Sequence, residues 1–288
     1  MKKLLEKGVF FYQADQYAPY SGQGETAQEN FTFELIAGGA SYAVTGFSSV
    51  CAQKDLVIPS FYNGLPVTKI KEQAFRQCNF LTSVVISEGI TVIGMSAFYE
   101  CSNLKSVRFP ESLKVIGGWS FHSCAKLERI IIPAKVESIE SRAFCACRGV
   151  KEFIVSPLNA KYQAIDGNLY TKDGTALLYY GVAKGESSFR LPDGVRDIEE
   201  WAFTYANALT EIVLPVGLVS IGYGAFSNCE KLSSVYYMGT KKEWDRIAIN
   251  KSCNDTFLKA RVYYYGEGKP LQGRDIWRYD GNGEPSVW

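Results

Sequence analysis

The feature that most constrains the fold of this chain is a 23-residue repeat. The isoleucines that open its units stand 23 residues apart in two series, Ile70, Ile93, Ile116 and Ile139, then Ile198 and Ile221. A fixed period of this length is typical of a solenoid, a propeller or another array of stacked units. In such an array each unit buries its apolar side chains against its neighbours, so no unit is stable alone.

One short strand per unit is predicted by the alternating stretch Leu104 to Phe109, in which Val107 and Phe109 point inward and Arg108 points outward. Prolines end the corresponding strands, because proline cannot donate to a ladder. The coils therefore build a parallel sheet. One phenylalanine column is predicted to form a continuous buried ladder: Phe75, Phe98, Phe121, Phe144, Phe203 and Phe226.

The unit "LxxVxFPxSLxxIGxxAFxxCxx" resembles the leucine-rich repeat of the BspA type, and the resemblance covers about residues 40 to 265. It implies a leucine-rich repeat solenoid, mostly β, with short turns and 3-10 or helical segments between the strands. It also implies a surface protein of gut or oral bacteria, since relatives of this type are associated with attachment to host matrix proteins or to other bacteria.

The predicted organisation is an N-terminal segment and cap over 1–39, the solenoid over 40–238, a C-terminal cap over 239–265 and a C-terminal extension over 266–288. The 59 residues from Ile139 to Ile198 exceed two coils, which need 46, and predict an insert at about 156–186. Within it, apolar runs flank Lys172 to Thr175, a hairpin turn signal.

Thr240 with Glu243 predicts a capping box, and "FTFELIAGGASYAV" predicts a first strand pair. The extension is predicted to pack on the cap.

Charge and hydropathy exclude several partners. The chain has 31 basic and 30 acidic residues, so no basic footprint predicts nucleic-acid binding. The sequence contains no run of 18 or more apolar residues, so no membrane-spanning helix is predicted. The start "MKKLLEKGVFFYQ" lacks the apolar region of a signal peptide. A cell-surface or secreted location is thus implied only by the resemblance, a cytoplasmic one stays open, and a monomer is favoured.

Five cysteines share one column of the repeat, and Ala206 takes their place in another coil: Cys78, Cys101, Cys124, Cys147 and Cys229. Replacement by alanine favours a small buried slot over a ligand role. Cys145 lies off this column, at a variable position that predicts exposure, and is therefore the candidate reactive thiol. His122 occupies the same variable position and is interpreted as a surface histidine. No catalytic residue, metal site or cofactor is predicted.

The outward side of the sheet carries the candidate binding residues. Its outward strand column is Val85, Arg108, Ile131, Ile154, Arg190, Val213 and Tyr236, and the column before it adds the charged residues Arg129, Glu152 and Glu211. An apolar strip rimmed by charge is typical of an interface. The competing interpretation is that β-branched residues simply suit a strand.

These patterns favour a non-enzymatic module that binds a protein of a host matrix or bacterial surface, or a glycan, through the sheet face. Free thiols and the absent signal leave an intracellular scaffold or regulatory protein as the alternative. An enzyme with a site near the 156–186 insert is the third hypothesis, which requires a concave pocket that gathers polar groups.

Overall fold

The computed structural model describes residues 26–48, 53–267 and 275–287. In the first half the strands are β1 (Phe31–Ile36), β2 (Ser41–Phe47), β3 (Asp55–Ile58), β4 (Phe61–Tyr62), β5 (Leu65–Ile70), β6 (Ser83–Ile86), β7 (Val92–Ile93), β8 (Ser106–Arg108), β9 (Val115–Ile116), β10 (Arg129–Ile132), β11 (Ser138–Ile139) and β12 (Glu152–Val155). The second half contains β13 (Tyr162–Ile165), β14 (Asn168–Thr171), β15 (Ala176–Tyr179), β16 (Ser188–Arg190), β17 (Asp197–Ile198), β18 (Glu211–Leu214), β19 (Ser220–Ile221), β20 (Ser234–Tyr237), β21 (Ala248–Ile249), β22 (Arg261–Tyr265), β23 (Ile276–Tyr279) and β24 (Pro285–Val287). The helices are α1 (Lys241–Trp244) and α2 (Asp255–Lys259).

Each coil contributes one strand to each of two walls, and the predicted solenoid is confirmed. The front sheet consists of the longer strands, in the order β3, β6, β8, β10, β12, β16, β18, β20 and β22. The back sheet contains the two-residue strands, such as β7, β9 and β11, which pair in parallel. The front strands also run parallel, with residues 23 positions apart side by side, as in Ile130 beside Phe153.

A tight corner joins each back strand to the next front strand, and its backbone is the most regular part of the coil. In one coil Ser96 and Glu100 adopt positive φ angles of 56° and 57° on either side of Phe98. The amides of these three residues donate to the carbonyls of Gly118, His122 and Ser120 in the next coil, over 2.7 to 2.9 Å. The left-handed conformation of Ser96 and Glu100 therefore directs the amides of alternate residues, 96, 98 and 100, towards the next coil.

The phenylalanine column lies inside these corners. Phe75, Phe98, Phe121 and Phe144 stack nearly parallel, with ring centroids 5.1, 5.1 and 5.6 Å apart. A second stack contains Tyr180, Phe203, Phe226 and Phe257 at 5.0, 4.8 and 4.5 Å. The prediction of one continuous ladder is wrong, because Phe144 meets Tyr179 edge-on at 5.8 Å instead of stacking on the next coil. Two main core clusters result, one on each side of the insert.

The insert is an antiparallel meander in the back wall. β13 pairs with β14 and β14 with β15, and β15 rejoins the parallel back sheet beside β17. This confirms the predicted hairpin, whose turn is held by Asp173: its carboxylate accepts from the Thr171 and Thr175 hydroxyls at 2.6 and 2.9 Å. The back wall thus gains two strands, β13 and β14, that have no counterpart in the front sheet.

Both ends of the stack are closed within the described residues. β1 and β2 form the predicted antiparallel pair. The capping box at α1 is confirmed, since Thr240 N–H donates to Glu243 Oε2 at 2.8 Å. β23 pairs in parallel with β22, and β24 pairs antiparallel with β23, so the extension prolongs the front sheet.

Candidate binding face

We call the outward side chains of the front sheet the front face. From β3 to β12 this face is open to solvent, and we call this part the open half. Its central row consists of four half-buried or exposed aliphatic side chains and one arginine: Val57, Val85, Arg108, Ile131 and Ile154. Pairing in register places Val57, Val85 and Arg108 side by side and, in the next pair of strands, Ile131 beside Ile154, about 4.8 Å apart from strand to strand within each group.

The row beside it is polar and partly paired. Arg129 Nε donates to Glu152 Oε1 at 2.6 Å, and both side chains are substantially exposed, at 53% and 39%. Near the other end, the Asp55 carboxylate accepts from the Thr82 hydroxyl at 2.9 Å. A surface ion pair of this kind contributes about 0 to 1 kcal/mol to stability, so these charges shape the surface more than they hold the fold.

The far half of the front face is different, because the C-terminal extension lies on it. Val213 and Tyr236 were predicted to face solvent, and this is wrong: they retain 3% and 8% exposure. Trp277 packs on them in a small separate cluster, its ring centroid 5.3 Å from that of Tyr236. Its indole N–H donates to the Tyr237 carbonyl at 2.9 Å. Only the open half is therefore available as a continuous surface.

Two further predicted site residues border the covered half. Arg190 is exposed and pairs with Asp193 at 3.1 Å, and its guanidinium lies 5.4 Å from the centre of the Tyr279 ring. Glu211 is half-buried on the neighbouring strand β18, where it lies beside Ser188. The structure thus separates the ten predicted residues into an open group before the insert and a group next to the extension.

The cysteine column is a packing feature. Cys101, Cys124 and Cys147 are buried, and each thiol donates to the phenylalanine carbonyl of the preceding coil at 3.0 to 3.2 Å. Cys229 makes the same bond to Phe203. The described cysteines are all free thiols. Burial raises the pKa of Cys101 and Cys229 to about 12 and that of the partly buried Cys78 to about 11, which disfavours the reactive thiolate in this column.

Cys145 is not the reactive thiol that its variable position predicted. It retains 4% exposure, and burial raises its pKa to about 12. The coil after the insert covers it, since Thr204 of that coil lines the same small cavity as Cys145. Cys253 is the exposed thiol among the described cysteines, and it lies 3.1 Å from the Tyr223 hydroxyl.

Alkylation of the native protein at pH 8 is expected to modify Cys253 within minutes and to leave Cys145 and Cys124 unmodified, because only the thiolate reacts and burial suppresses it. Peptide mass spectrometry after iodoacetamide treatment measures each site separately. The control is the protein unfolded in about 6 M guanidinium, in which all sites are expected to react. Native labelling of Cys145 at the rate of Cys253 would contradict the buried assignment.

An aromatic and arginine ladder runs along the outside of the corners, and the sequence analysis did not find it. We call it the corner ladder; from the N-terminal side it contains Tyr99, His122, Trp119, Arg142, Trp201 and Tyr223. The Arg142 guanidinium lies 4.6 Å from the Trp119 ring centre and 5.1 Å from that of Trp201. It also pairs with Glu200 at 3.7 Å. Arg142 therefore joins the coil before the insert to the coil after it.

His122 is an internal member of this ladder rather than a solvated histidine. Its ring stacks on Tyr99 at 5.0 Å and lies 4.8 Å from Trp119. Desolvation lowers the pKa of the imidazole. The recurring tryptophan positions 119 and 201 were the sequence signal that could have revealed it.

The third hypothesis required a concave polar pocket near the insert. A shallow cavity does lie there, between Phe144, Val150 and Tyr179 on one side and Trp201 and Thr204 on the other. Its lining contains no carboxylate and no histidine, and its ionisable side chains are Cys145, Cys147, Tyr179 and Tyr180. Within residues 26–48, 53–267 and 275–287, no cluster of three or more metal-binding side chains occurs. No helix in that part of the chain is long and apolar enough to span a bilayer.

Parallel coils of one period, a buried phenylalanine and cysteine interior and an exposed sheet face define the class of leucine-rich repeat solenoids. The chain belongs to the family of the BspA type leucine-rich repeat region, whose sequence profile matches six copies over residues 47–171 and 180–259. A comparison with curated protein sequences gave no match.

Solved structures of similar fold include leucine-rich repeat proteins from two bacteria. A leucine-rich repeat protein from Eubacterium ventriosum has 18% identity and a TM-score of 0.52, over 82% of this chain and 77% of that chain. One from Bacteroides ovatus has 19% identity and a TM-score of 0.52, over 84% and 71%. At this identity the likeness shows the fold alone.

Proposed function

We propose that this protein is a non-enzymatic binding module whose open half binds a protein partner. The observation that supports it is the row of Val57, Val85, Ile131 and Ile154 around Arg108 on a rigid, regularly spaced sheet. Solenoids of stacked repeats commonly use extended surfaces of this kind for binding. An apolar centre with a charged rim is the usual anatomy of an interface.

The partner class follows from the shape and the charges of the surface. The open half is a shallow sheet surface without a deep cleft, so it suits a folded protein better than a small molecule, which binds in a concave pocket. The Arg129–Glu152 pair and Asp55 supply both signs of charge at the rim. A complementary protein surface with an aliphatic centre and mixed charges fits this arrangement.

Attachment of a bacterium to a host matrix protein or to another bacterium is the biological form of this proposal, and it rests on the family. An intracellular scaffold would use the same surface and differ only in the partner. Binding assays against immobilised matrix proteins and bacterial surface proteins distinguish the two uses, since an intracellular scaffold is expected to bind neither class of protein.

Arg108→Glu and Ile131→Asp are expected to weaken partner binding by at least about tenfold each, or 1.4 kcal/mol, because both changes place a desolvated charge at the centre of the surface. Surface plasmon resonance against the partner recovered with the wild-type protein measures the dissociation constants. Lys114→Glu and Val219→Asp are matched controls on the back wall and are expected to change binding by less than about twofold.

Equal losses from the front and back variants would show that the changes act by general charge or aggregation. Unchanged binding in both front variants, with intact folding by circular dichroism, would show that the partner does not use the open half.

A further inference from the structure

The front sheet is interrupted where the insert lies, at a break that we call the seam. β12 and β16 belong to consecutive coils, yet they do not pair. β12 pairs only with β10, and β16 pairs only with β18. The break between β8 and β10 is milder, since Glu128 N–H still donates to the Lys105 carbonyl at 3.4 Å. The seam is thus the place where two parallel strand edges face each other unpaired.

On β16 the unpaired groups belong to Ser188 and Arg190. The ladder with β18 uses the alternate residues, as the Leu191 amide donating to the Val213 carbonyl at 2.9 Å shows. Backbone groups of successive strand residues point to opposite edges. The N–H and C=O groups of Ser188 and Arg190 therefore point into the seam, and no described residue pairs with them.

On β12 the seam-facing residues are Phe153 and Val155, since Ser156 N–H donates to Ile132 on the other side. The turn between β13 and β14 occupies the first part of the seam, where Phe153 N–H donates to the Gly167 carbonyl at 2.8 Å. The N–H and C=O groups of Val155 have no partner among the described residues. The second part of the seam, beside Val155 and Arg190, is therefore not filled by a strand.

Side-chain exposure marks the same gap. Phe189 is only partly buried, whereas its column neighbours Phe153 and Ile212 are 3% and 0% exposed. Val155 is also partly buried, whereas Ile132 and Leu214 in its column are fully buried. Of the inward residues that border the seam, Val155 and Phe189 thus lose burial, whereas Phe153 and Leu191 stay 3% and 0% exposed.

The coil after the insert also lacks the leucine that seals the others. Glu186 stands where neighbouring coils place a buried Leu104, Leu127 or Leu209. It is exposed and bonds to the Tyr180 hydroxyl at 3.1 Å. An exposed carboxylate therefore takes the place of the buried leucine at this level of the solenoid.

We propose that the seam binds an extended peptide by strand addition, with the peptide running parallel to β12 and β16 between Val155 and Arg190. Its main chain pairs with the unpaired amides and carbonyls of both edges, as in other complexes formed by strand addition. One inward apolar side chain of the peptide contacts Phe189 and Val155. The seam adjoins the open half at β12, where Ile154 ends the row that contains Arg108, but the peptide site uses backbone groups of the strand edges and not the side chains of that row.

The test uses the full-length protein and a fluorescein-labelled peptide with this chain's own β18 sequence, Thr-Glu-Ile-Val-Leu. Arg190→Pro removes the seam-facing N–H and leaves the β16–β18 ladder intact, since an edge strand tolerates proline where its N–H faces outward. Arg190→Ala is the matched control, because it removes the side chain and retains the N–H.

Fluorescence anisotropy is expected to show saturable binding to the wild type, binding within about twofold for Arg190→Ala and at least about tenfold weaker binding for Arg190→Pro. A peptide N-methylated at valine should lose binding to the unaltered protein, which tests the backbone contacts without any protein variant. No saturable binding, equal binding to Arg190→Pro, or displacement of the peptide by self-association would overturn the proposal. Arg108→Glu is expected to leave peptide binding unchanged, so this site and the open half fail independently.

Discussion

Replacing Phe121 with alanine is expected to lower the free energy of unfolding by about 3 to 5 kcal/mol. Its ring is fully buried and stacks on Phe98 at 5.1 Å and on Phe144 at 5.6 Å. Phe109 of the front sheet meets the same ring edge-on at 5.6 Å. Truncation therefore opens a cavity that borders three coils at once, and rigid corners on both sides limit its collapse.

Urea denaturation followed by circular dichroism measures this change. Phe61→Ala is the matched control, because Phe61 is 57% exposed in the short strand β4, and the change should shift stability by no more than about 0.5 kcal/mol. A loss below about 1 kcal/mol for Phe121→Ala would mean that the corners relax into the cavity, against the close packing that the ladder implies.

The 23-residue period made the interior predictable. Once Phe98 and Phe121 are known to occupy one column, stacking of coils places them in contact, and Cys101 and Cys124 follow by the same rule. Local patterns were equally sufficient for the Thr240–Glu243 capping box, since its partners are three residues apart. These predictions succeeded because each depends only on neighbours within a coil or one period away.

The predictions that failed concern contacts across irregular distances. Val213 and Tyr236 read as outward residues, but Trp277, which lies far along the chain, covers them. Cys145 read as exposed, but Thr204 lies beside it because the insert brings that coil up to it. No repeat rule describes how a hairpin or a terminal extension folds back on the stack.

The corner ladder and the seam were missed for a related reason. Trp119 and Trp201 share a column, but Arg142 joins them only because the insert adds strands to the back wall while the corners remain adjacent. The same mismatch between the two walls leaves β12 and β16 unpaired. The insert thus creates both the connection on one side of the molecule and the gap on the other.

Trp277→Ala is expected to detach the C-terminal extension from the front face at a local cost of about 3 to 5 kcal/mol. Trp277 is fully buried, its N–H bonds to Tyr237, and it contacts Tyr265 and Tyr279 at 5.5 and 5.0 Å. Its cluster is separate from the two main core clusters. The loss should therefore release β23 and β24 and leave the solenoid folded.

Hydrogen exchange with mass spectrometry measures this release as faster exchange in 276–287, together with an unchanged unfolding midpoint for the solenoid. Trp277→Phe is the control: it retains a ring and loses the hydrogen bond to Tyr237, at a cost of about 1 kcal/mol, and should keep the extension largely protected. A cooperative drop in the midpoint of the whole protein would instead show that the extension is part of the main folding unit.

If the extension is released, Val213 and Tyr236 become exposed in the row that Ile131 and Arg108 occupy in the open half. The extension then determines how much of the front face a partner can reach.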